Sequence, residues 1–184
     1  MKTVRSLSVS VLEVKRSRFH SFLVPFNEFE ETLQDLRKCH PKANHFVTAF
    51  RYFNECNQIV EGSSDDKEPR GTSGRPTLKV LQGNGLVNVG IITVRYFGGV
   101  LLGAGGLVKA YSDSANLVIS KADLIEYKEV EEFKFFVEYS KTREVEYTIE
   151  KNYIFVYDRK FYAEGIEYII REDKEKIDII RKII

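Results

Sequence analysis

Glycine is concentrated in one stretch of this 184-residue chain, and that stretch most restricts what the chain can form. Eleven of the twelve glycines lie at positions 62–106, and the densest group separates two regular patterns. An apolar, β-branched run at 89–97 predicts a buried strand, the glycines at 98–103 predict a turn, and 104–119 predicts a helix. Because glycine lets backbone amides approach a neighbouring group without an intervening Cβ, the turn also predicts an open helix amino end.

This strand–turn–helix segment has two explanations. A helix amino end carries unpaired N–H groups and a partial positive charge, which favour an anion such as phosphate. The alternative is tight packing of strand on helix, in which glycine only permits close contact. The segment matches neither GxxxxGK[ST] nor GxGxxG, so a kinase or a dinucleotide dehydrogenase is not indicated. The candidate anion-binding residues here are Arg95, Gly98, Gly99, Gly103, Gly105, Gly106 and Lys109.

A polar segment at 63–76, with the sequence SSDDKEPRGTSGRP, carries the remaining candidates. Its hydroxyl and guanidinium groups suit a phosphate, and the residues concerned are Arg70, Thr72, Ser73 and Arg75. Its carboxylates, Asp65, Asp66 and Glu68, are expected to order the loop, the last two by pairing with one of the two arginines. The Asp-x-Asp-x-Asp-Gly spacing of a calcium loop is missing, so neither a metal nor a cofactor is predicted.

The net charge of +1 hides an uneven distribution. Residues 1–120 hold 15 basic and 11 acidic side chains, whereas residues 121–184 hold 13 and 16. The stretch 69–112 contains five cations and no acid. A local basic region on a nearly neutral chain predicts one contact surface for an anion rather than a protein that coats nucleic acid.

Composition changes near residue 120 and predicts two domains, 1–122 and 123–184. The first is expected to be mixed α/β, with a polar loop at 55–75. The second is expected to run strand, helix, strand, strand, helix, which is a ferredoxin-like βαββα unit without its last strand. Its strands are predicted at 126–139, 153–157 and 161–170. The predicted fold class is therefore α+β.

Other functions are not indicated by the sequence. No apolar run approaches the ~20 residues of a membrane span, and the amino-terminal region has no apolar signal core, so a cytoplasmic protein without a membrane partner is expected. The cysteines, Cys39 and Cys56, are expected to be buried free thiols. Ser73 does not complete GxSxG, and no paired carboxylates lie in an apolar setting, so no catalytic residue is predicted.

Two long motifs, SDDKEPRGTSGRP and VRYFGGVLLGAGGLVKAYSDSA, resemble those of the YigZ/IMPACT family. Shorter matches at 15–19 and 43–45 extend the resemblance over most of 15–119. The resemblance implies that the first domain has the fold of ribosomal protein S5 domain 2, shared by domain IV of elongation factor G. It implies that the second domain is like domain V of that factor. Two such adjacent domains imply contact with ribosomes or structured RNA.

The sequence supports three functional hypotheses. The first is a non-enzymatic, translation-associated regulator whose basic, glycine-rich face binds RNA or ribosomal phosphates. The second is an enzyme or sensor that binds a small phosphorylated ligand or nucleotide at the same loop, with Asp66, Asp113 or Ser73 available for chemistry. The third is a protein-interaction module, in which the glycines serve packing and the partner is a regulatory protein. The oligomeric state is left open.

Overall fold

The computed structural model describes all 184 residues, which divide into two units, Met1–Tyr127 and Lys128–Ile184. The strands of the first unit are β1 (Lys2–Val4), β2 (Ser8–Val14), β3 (Ser17–Pro25), β4 (His45–Phe53), β5 (Ile59–Ser64), β6 (Val89–Tyr96) and β7 (Leu124–Glu126). Its helices are α1 (Phe29–Cys39), α2 (Gly74–Gly83) and α3 (Gly103–Lys121). Five strands form an antiparallel sheet in the order β2-β3-β6-β4-β5. The predicted α+β class is confirmed.

The division between the units lies five residues beyond the predicted boundary at residue 122. The reason is β7, which pairs antiparallel with β1 and so returns the chain to its own amino end. The amide of Tyr127 extends this pairing with a hydrogen bond to the carbonyl of Met1, at 2.9 Å. A strand of three residues has too few positions to show a periodic pattern, so neither β1 nor β7 could be predicted from local sequence.

The central strand β6 separates two packing layers of the first unit. Successive side chains of a strand point to opposite faces of the sheet. Ile91 packs in a core with Leu81 of α2, whereas Ile92 packs in a core with Phe29 of α1. Arg95 lies four residues after Ile91 on the same strand, so the two side chains point to the same face of the sheet. The cation at the end of the strand is therefore directed to the face that α2 and α3 cover.

Strand β5 lies inside the segment 55–75 that was predicted to be a polar loop. Its sequence, IVEGSS, has only two apolar residues, so the propensity signal is weak. Pairing with β4 determines its structure, with Phe50 opposite Gly62. A Cβ at Gly62 would lie 2.2 Å from Cζ of Phe50, so the glycine makes room for the ring.

The prediction of buried cysteines is wrong, because both thiols are exposed. Cys39 is the last residue of α1, whose inward positions are taken by Phe29 and Leu36. Cys56 lies in the turn between β4 and β5.

The second unit is a three-stranded antiparallel sheet with two helices. Its elements are β8 (Glu131–Glu138), α4 (Thr142–Lys151), β9 (Val156–Phe161), β10 (Gly165–Glu172) and α5 (Lys174–Arg181). The strand order is β8-β10-β9, and the chain order is the predicted strand, helix, strand, strand, helix. Its core includes Phe135, Tyr168 and Ile177. Asp173 caps α5 by accepting a hydrogen bond from the Lys176 amide, at 3.1 Å.

Strand β9 begins three residues later than predicted. Tyr153, the predicted first residue, has a φ of +50° and is 88% exposed. It therefore belongs to the turn that follows α4, and its aromatic character was a misleading strand signal.

Helix α3, with 19 residues, is the longest of the five. Neither it nor any other helix combines the length and the apolar character that crossing a bilayer requires.

Candidate functional site

The amino end of α2 is capped by a carboxylate from the preceding loop. Asp65 accepts hydrogen bonds from the amides of Gly71 and Gly74, at 2.7 and 2.8 Å. It also accepts bonds from the amide and the hydroxyl of Ser73, at 3.2 and 2.7 Å. Burial tends to raise the pKa of Asp65, but these hydrogen bonds together hold that pKa below its ordinary value. Asp65 therefore takes the position that an external anion would occupy at α2.

Two of the predicted phosphate ligands are directed into this loop. Thr72 donates its hydroxyl to the carbonyl of Pro69, at 2.7 Å, and Ser73 donates its hydroxyl to Asp65. Both residues are buried. In this structure both hydroxyls are used to close the loop ahead of α2.

The predicted pairing of Asp66 with an arginine of its own loop does not occur. Its carboxylate accepts a hydrogen bond from the amide of Phe46, at 2.6 Å, and its carbonyl accepts one from Nδ1 of His45, at 2.8 Å. Pairing between β5 and β4 ends at Ser64, opposite Thr48. Asp66 thus satisfies a backbone amide of β4 that β5 no longer reaches, and it attaches the loop to the sheet.

Glu68 pairs with Arg95, not with Arg70 or Arg75 as predicted. Oε1 of Glu68 lies 2.5 Å from Nη1 of Arg95 and accepts a further hydrogen bond from the hydroxyl of Tyr111, at 2.8 Å. The two charged side chains are only 3% and 6% exposed. Burial, together with the negative charge of Glu68, raises the pKa of Tyr111, so the phenol stays protonated. Arg95 is therefore an internal cation rather than an exposed phosphate ligand.

Exposed cations surround a groove of about 440 Å³ between α2 and α3. We call it the basic groove, and it is lined by Gly71, Arg75, Pro76, Lys79, Val80, Val108 and Ser112. The side chains of Arg75 and Lys79 are exposed and have no hydrogen-bond or ion-pair partner, and the same is true of Arg70, which precedes the lining residue Gly71 in sequence. Because the lining contains two cations and no acid, the groove attracts anions.

Lys79 is a groove residue that the sequence analysis did not select. It follows Arg75 by four residues, so both side chains project from the same side of α2. That spacing within an acid-free stretch is the signal that identifies it. The predicted ligand Lys109 pairs instead with Asp113, at 3.0 Å, on the exposed surface of α3. Exposed pairs of this kind are weak, so Lys109 remains available to an external anion.

The glycine loop before α3 combines close packing with open space. A Cβ at Gly98 would lie 2.1 Å from the backbone carbon of Arg16, so this position serves packing. Gly99 and Gly103 have φ values of +81° and +71°, which side chains with a Cβ rarely adopt. Gly105 has neither constraint, because it is helical and a Cβ there would meet nothing within 4 Å. The packing explanation therefore holds at Gly98, whereas Gly105 borders open space.

The glycine loop also lines a second cavity, of about 410 Å³, that shares no lining residue with the basic groove. We call it the loop cavity. Arg95 and Glu68 contribute to its wall, and the first residues of α3 lie at its edge.

No group of three or more His, Cys, Asp or Glu side chains in the chain is arranged to hold a metal ion.

Comparison with known proteins places these features in a family. The family model of the Impact N-terminal domain matches residues 15–119, which contain both the basic groove and the glycine loop. An IMPACT family member of Haemophilus influenzae is 34% identical over 158 residues, which cover 82% of this chain and 75% of that protein. The IMPACT family member YigZ of Escherichia coli is 40% identical over 109 residues, which cover 58% of this chain and 53% of YigZ.

A solved structure has the same fold along most of the chain. The crystal structure of a hypothetical protein aligns with 98% of this chain and 89% of its own, at a TM-score of 0.72 and 27% identity. The family model covers more than half of the chain, and the H. influenzae relative matches most of it. The chain belongs to the IMPACT family.

Proposed function

We propose that this protein is a non-enzymatic, translation-associated regulator that binds RNA phosphates along the basic groove. The observation that carries the proposal is the set of exposed, unpaired cations, Arg70, Arg75 and Lys79, beside a groove without an acid. Lys109 on α3 adds a fourth cation that is held only by a surface pair. Lysine and arginine contacts to phosphates supply most of the sequence-independent affinity for nucleic acid.

The arrangement of these cations favours a polymer over a single small anion. Arg75 and Lys79 are separated by four residues, or about 6 Å along the axis of α2. Arg70 precedes the helix and Lys109 lies on α3, so the cations are spread over more than one element of the first unit. A flexible phosphate backbone can contact several dispersed cations at once, which one phosphate group cannot.

The residues that the competing enzyme hypothesis would use for chemistry are engaged in other contacts. This favours a binding function over an enzymatic one. Asp66 and Ser73 are engaged in hydrogen bonds that hold their loop, and Asp113 pairs with Lys109. None of the three combines an activating base with access to a ligand, as nucleophilic or acid–base catalysis requires.

The translation-associated part of the proposal rests on the resemblance of the two predicted domains to adjacent domains of elongation factor G. A protein with that pair of domains would act where ribosomes are, in the cytoplasm. A regulatory protein partner is compatible with RNA binding, because the basic groove occupies only one side of the first unit.

The experiment is a fluorescence anisotropy titration of the full chain with a single-stranded RNA oligonucleotide of mixed sequence. The double variant Arg75→Glu/Lys79→Glu reverses both groove charges and is expected to weaken binding by at least about tenfold. The matched control is Arg5→Glu/Lys42→Glu, which makes the same charge change at exposed, unpaired cations elsewhere in the first unit. Equal weakening by both double variants would show that net charge, not the groove, determines binding.

A further inference from the structure

The loop cavity differs from the basic groove in the chemistry of its lining. Its volume of about 410 Å³ lies within the range of small-molecule sites. Its wall includes His45, Lys67, Glu68, Arg95, Phe97 and Leu101. Apolar walls with a few convergent polar groups are the usual composition of a ligand pocket.

The buried ion pair in this wall has unused hydrogen-bonding capacity. Nε of Arg95 is buried and has no hydrogen-bond partner. Glu68 accepts all of its hydrogen bonds through Oε1, which leaves Oε2 without one. A buried donor without a partner destabilises a protein, so a native structure rarely leaves one without a reason. Nε of Arg95 has almost no accessible surface, so Oε2 of Glu68 is the atom of this pair that a polar group in the cavity can meet.

The electrostatic balance of the cavity favours an anion. Arg95 compensates Glu68, so the charge that remains is the exposed ammonium of Lys67, which has no partner. His45 donates from Nδ1 to the carbonyl of Asp66, and its Nε2 lies 3.8 Å from Oε1 of Glu68.

The amino end of α3 adds unpaired donors at the edge of this cavity. No side chain caps α3, whereas Asp65 caps α2. The amides of its first turn have no intrahelical acceptor, and the helix dipole is positive there. Gly103 and Ala104 line the cavity, and a Cβ at Gly105 would project into open space. An anionic group can therefore approach these amides closely.

Part of the cavity wall is apolar and exposed. Phe97 is 44% exposed and Leu101 is 84% exposed, although both are large hydrophobic side chains. An exposed aromatic ring is a surface on which a planar aromatic group stacks. The amide of Phe97 donates a hydrogen bond to Oδ1 of Asn44, at 2.8 Å, which fixes the backbone at Phe97.

We propose that the loop cavity binds a phosphate monoester with an aromatic body, of the size of a nucleoside monophosphate. The phosphate occupies the amides of α3 and the vicinity of Lys67, and the aromatic body stacks on Phe97. A polar edge of that body reaches the unpaired Oε2 of Glu68. This site is separate from the basic groove and does not depend on RNA binding there.

The test is isothermal titration calorimetry of the full chain with AMP, GMP, CMP and UMP at millimolar concentrations. Adenosine, which lacks the phosphate, and inorganic phosphate, which lacks the aromatic body, are each expected to bind more weakly than AMP. Failure of all four monophosphates to bind, or adenosine binding as tightly as AMP, would overturn the proposal.

Variants at Gly105 distinguish an effect on ligand binding from an effect on folding stability. Gly105→Asp places a carboxylate in the first turn of α3, where a negative charge stabilises a helix but repels a phosphate. We expect a melting temperature at or above that of the parent, with nucleotide affinity at least about tenfold lower. Gly105→Asn, of the same size but neutral, should lose much less affinity. Equal affinity of the Asp and Asn variants would contradict the proposal.

The two sites can be distinguished directly. The double variant Arg75→Glu/Lys79→Glu should retain nucleotide binding, because neither residue lines the loop cavity. Loss of nucleotide binding in this variant would place the ligand in the basic groove instead. Loss of RNA binding in the same variant is the separate expectation for the groove.

Discussion

In the first unit, Nη1 of Arg95 lies 2.5 Å from Oε1 of Glu68, and both side chains are almost completely buried. The two residues are 27 positions apart in sequence, so the pair joins the loop ahead of α2 to the end of β6. The hydroxyl of Tyr111 connects the same carboxylate to α3. This contact gives Arg95 a structural role and leaves the exposed cations of α2 as the surface that we propose for RNA.

Neutralising Glu68 should strongly destabilise the first unit. Glu68→Gln leaves the Arg95 charge buried without compensation, which costs about 3–5 kcal/mol. The free energy of unfolding from urea denaturation measures this loss. The control Asp35→Asn breaks the exposed pair with Lys38 and should leave that free energy nearly unchanged. A loss no larger in Glu68→Gln than in the control would contradict a structural function of the buried pair.

The cap of α2 should make stability depend on pH. The pKa of Asp65 is lower in the folded protein than its ordinary value, so its ionised form stabilises the fold. That contribution is complete above the unfolded pKa and is lost as the pH falls through the folded pKa. Asp65→Ala should cost about 1–2 kcal/mol at neutral pH, and the difference from the parent should narrow below about pH 4.

Urea denaturation at neutral and acidic pH measures this effect. Glu55→Ala removes an exposed carboxylate without a hydrogen-bond or ion-pair partner, and it is expected to leave the pH profile unchanged. A difference between Asp65→Ala and the parent that stays constant down to acidic pH would exclude the proposed carboxylate cap.

Two glycines close together in sequence should respond to alanine in opposite ways. Gly98→Ala drives a Cβ against the backbone of Arg16, so the melting temperature should fall steeply. Gly105→Ala adds a Cβ in open space within a helix, which should stabilise the protein by about 0.5–1 kcal/mol. Thermal denaturation followed by circular dichroism compares the two. A stable Gly98→Ala variant would contradict the close approach of these two segments.

RNA affinity should fall with salt in proportion to the number of groove contacts. If three exposed cations each neutralise one phosphate of a single strand, the slope of log affinity against log salt is about −2. Anisotropy titrations at several salt concentrations give this slope. Arg75→Glu/Lys79→Glu should flatten it, whereas Arg5→Glu/Lys42→Glu should leave it as in the parent. A slope near zero in the parent would exclude binding by the groove cations.

Local patterns in the sequence predicted much of the fold. The apolar run at 89–97 became β6, and the glycines after it became the turn into α3, because strand burial and helix starts have strong local signals. Strand β5 and the β1–β7 pair were missed. Their structure depends on partners distant in sequence, such as Phe50 opposite Gly62, which no local pattern contains.

The same distinction applies to the candidate site. Arg70 and Arg75 are exposed, as a phosphate-binding surface requires, and their type and position were enough to select them. Arg95 lies one residue before the end of β6. Its ion pair with Glu68, which is 27 positions away in sequence, could not be predicted from that local position. The hydroxyls of Thr72 and Ser73 have acceptors within the loop itself, which their residue types alone did not indicate.

Sedimentation of cell lysate through sucrose gradients tests the central claim most directly. The parent protein and the Arg5→Glu/Lys42→Glu control should comigrate with ribosomal particles at low salt and move to the top of the gradient as salt rises. Arg75→Glu/Lys79→Glu should remain at the top at every salt concentration. Comigration of this variant with ribosomes to the same extent as the parent would contradict an RNA-binding function of the basic groove.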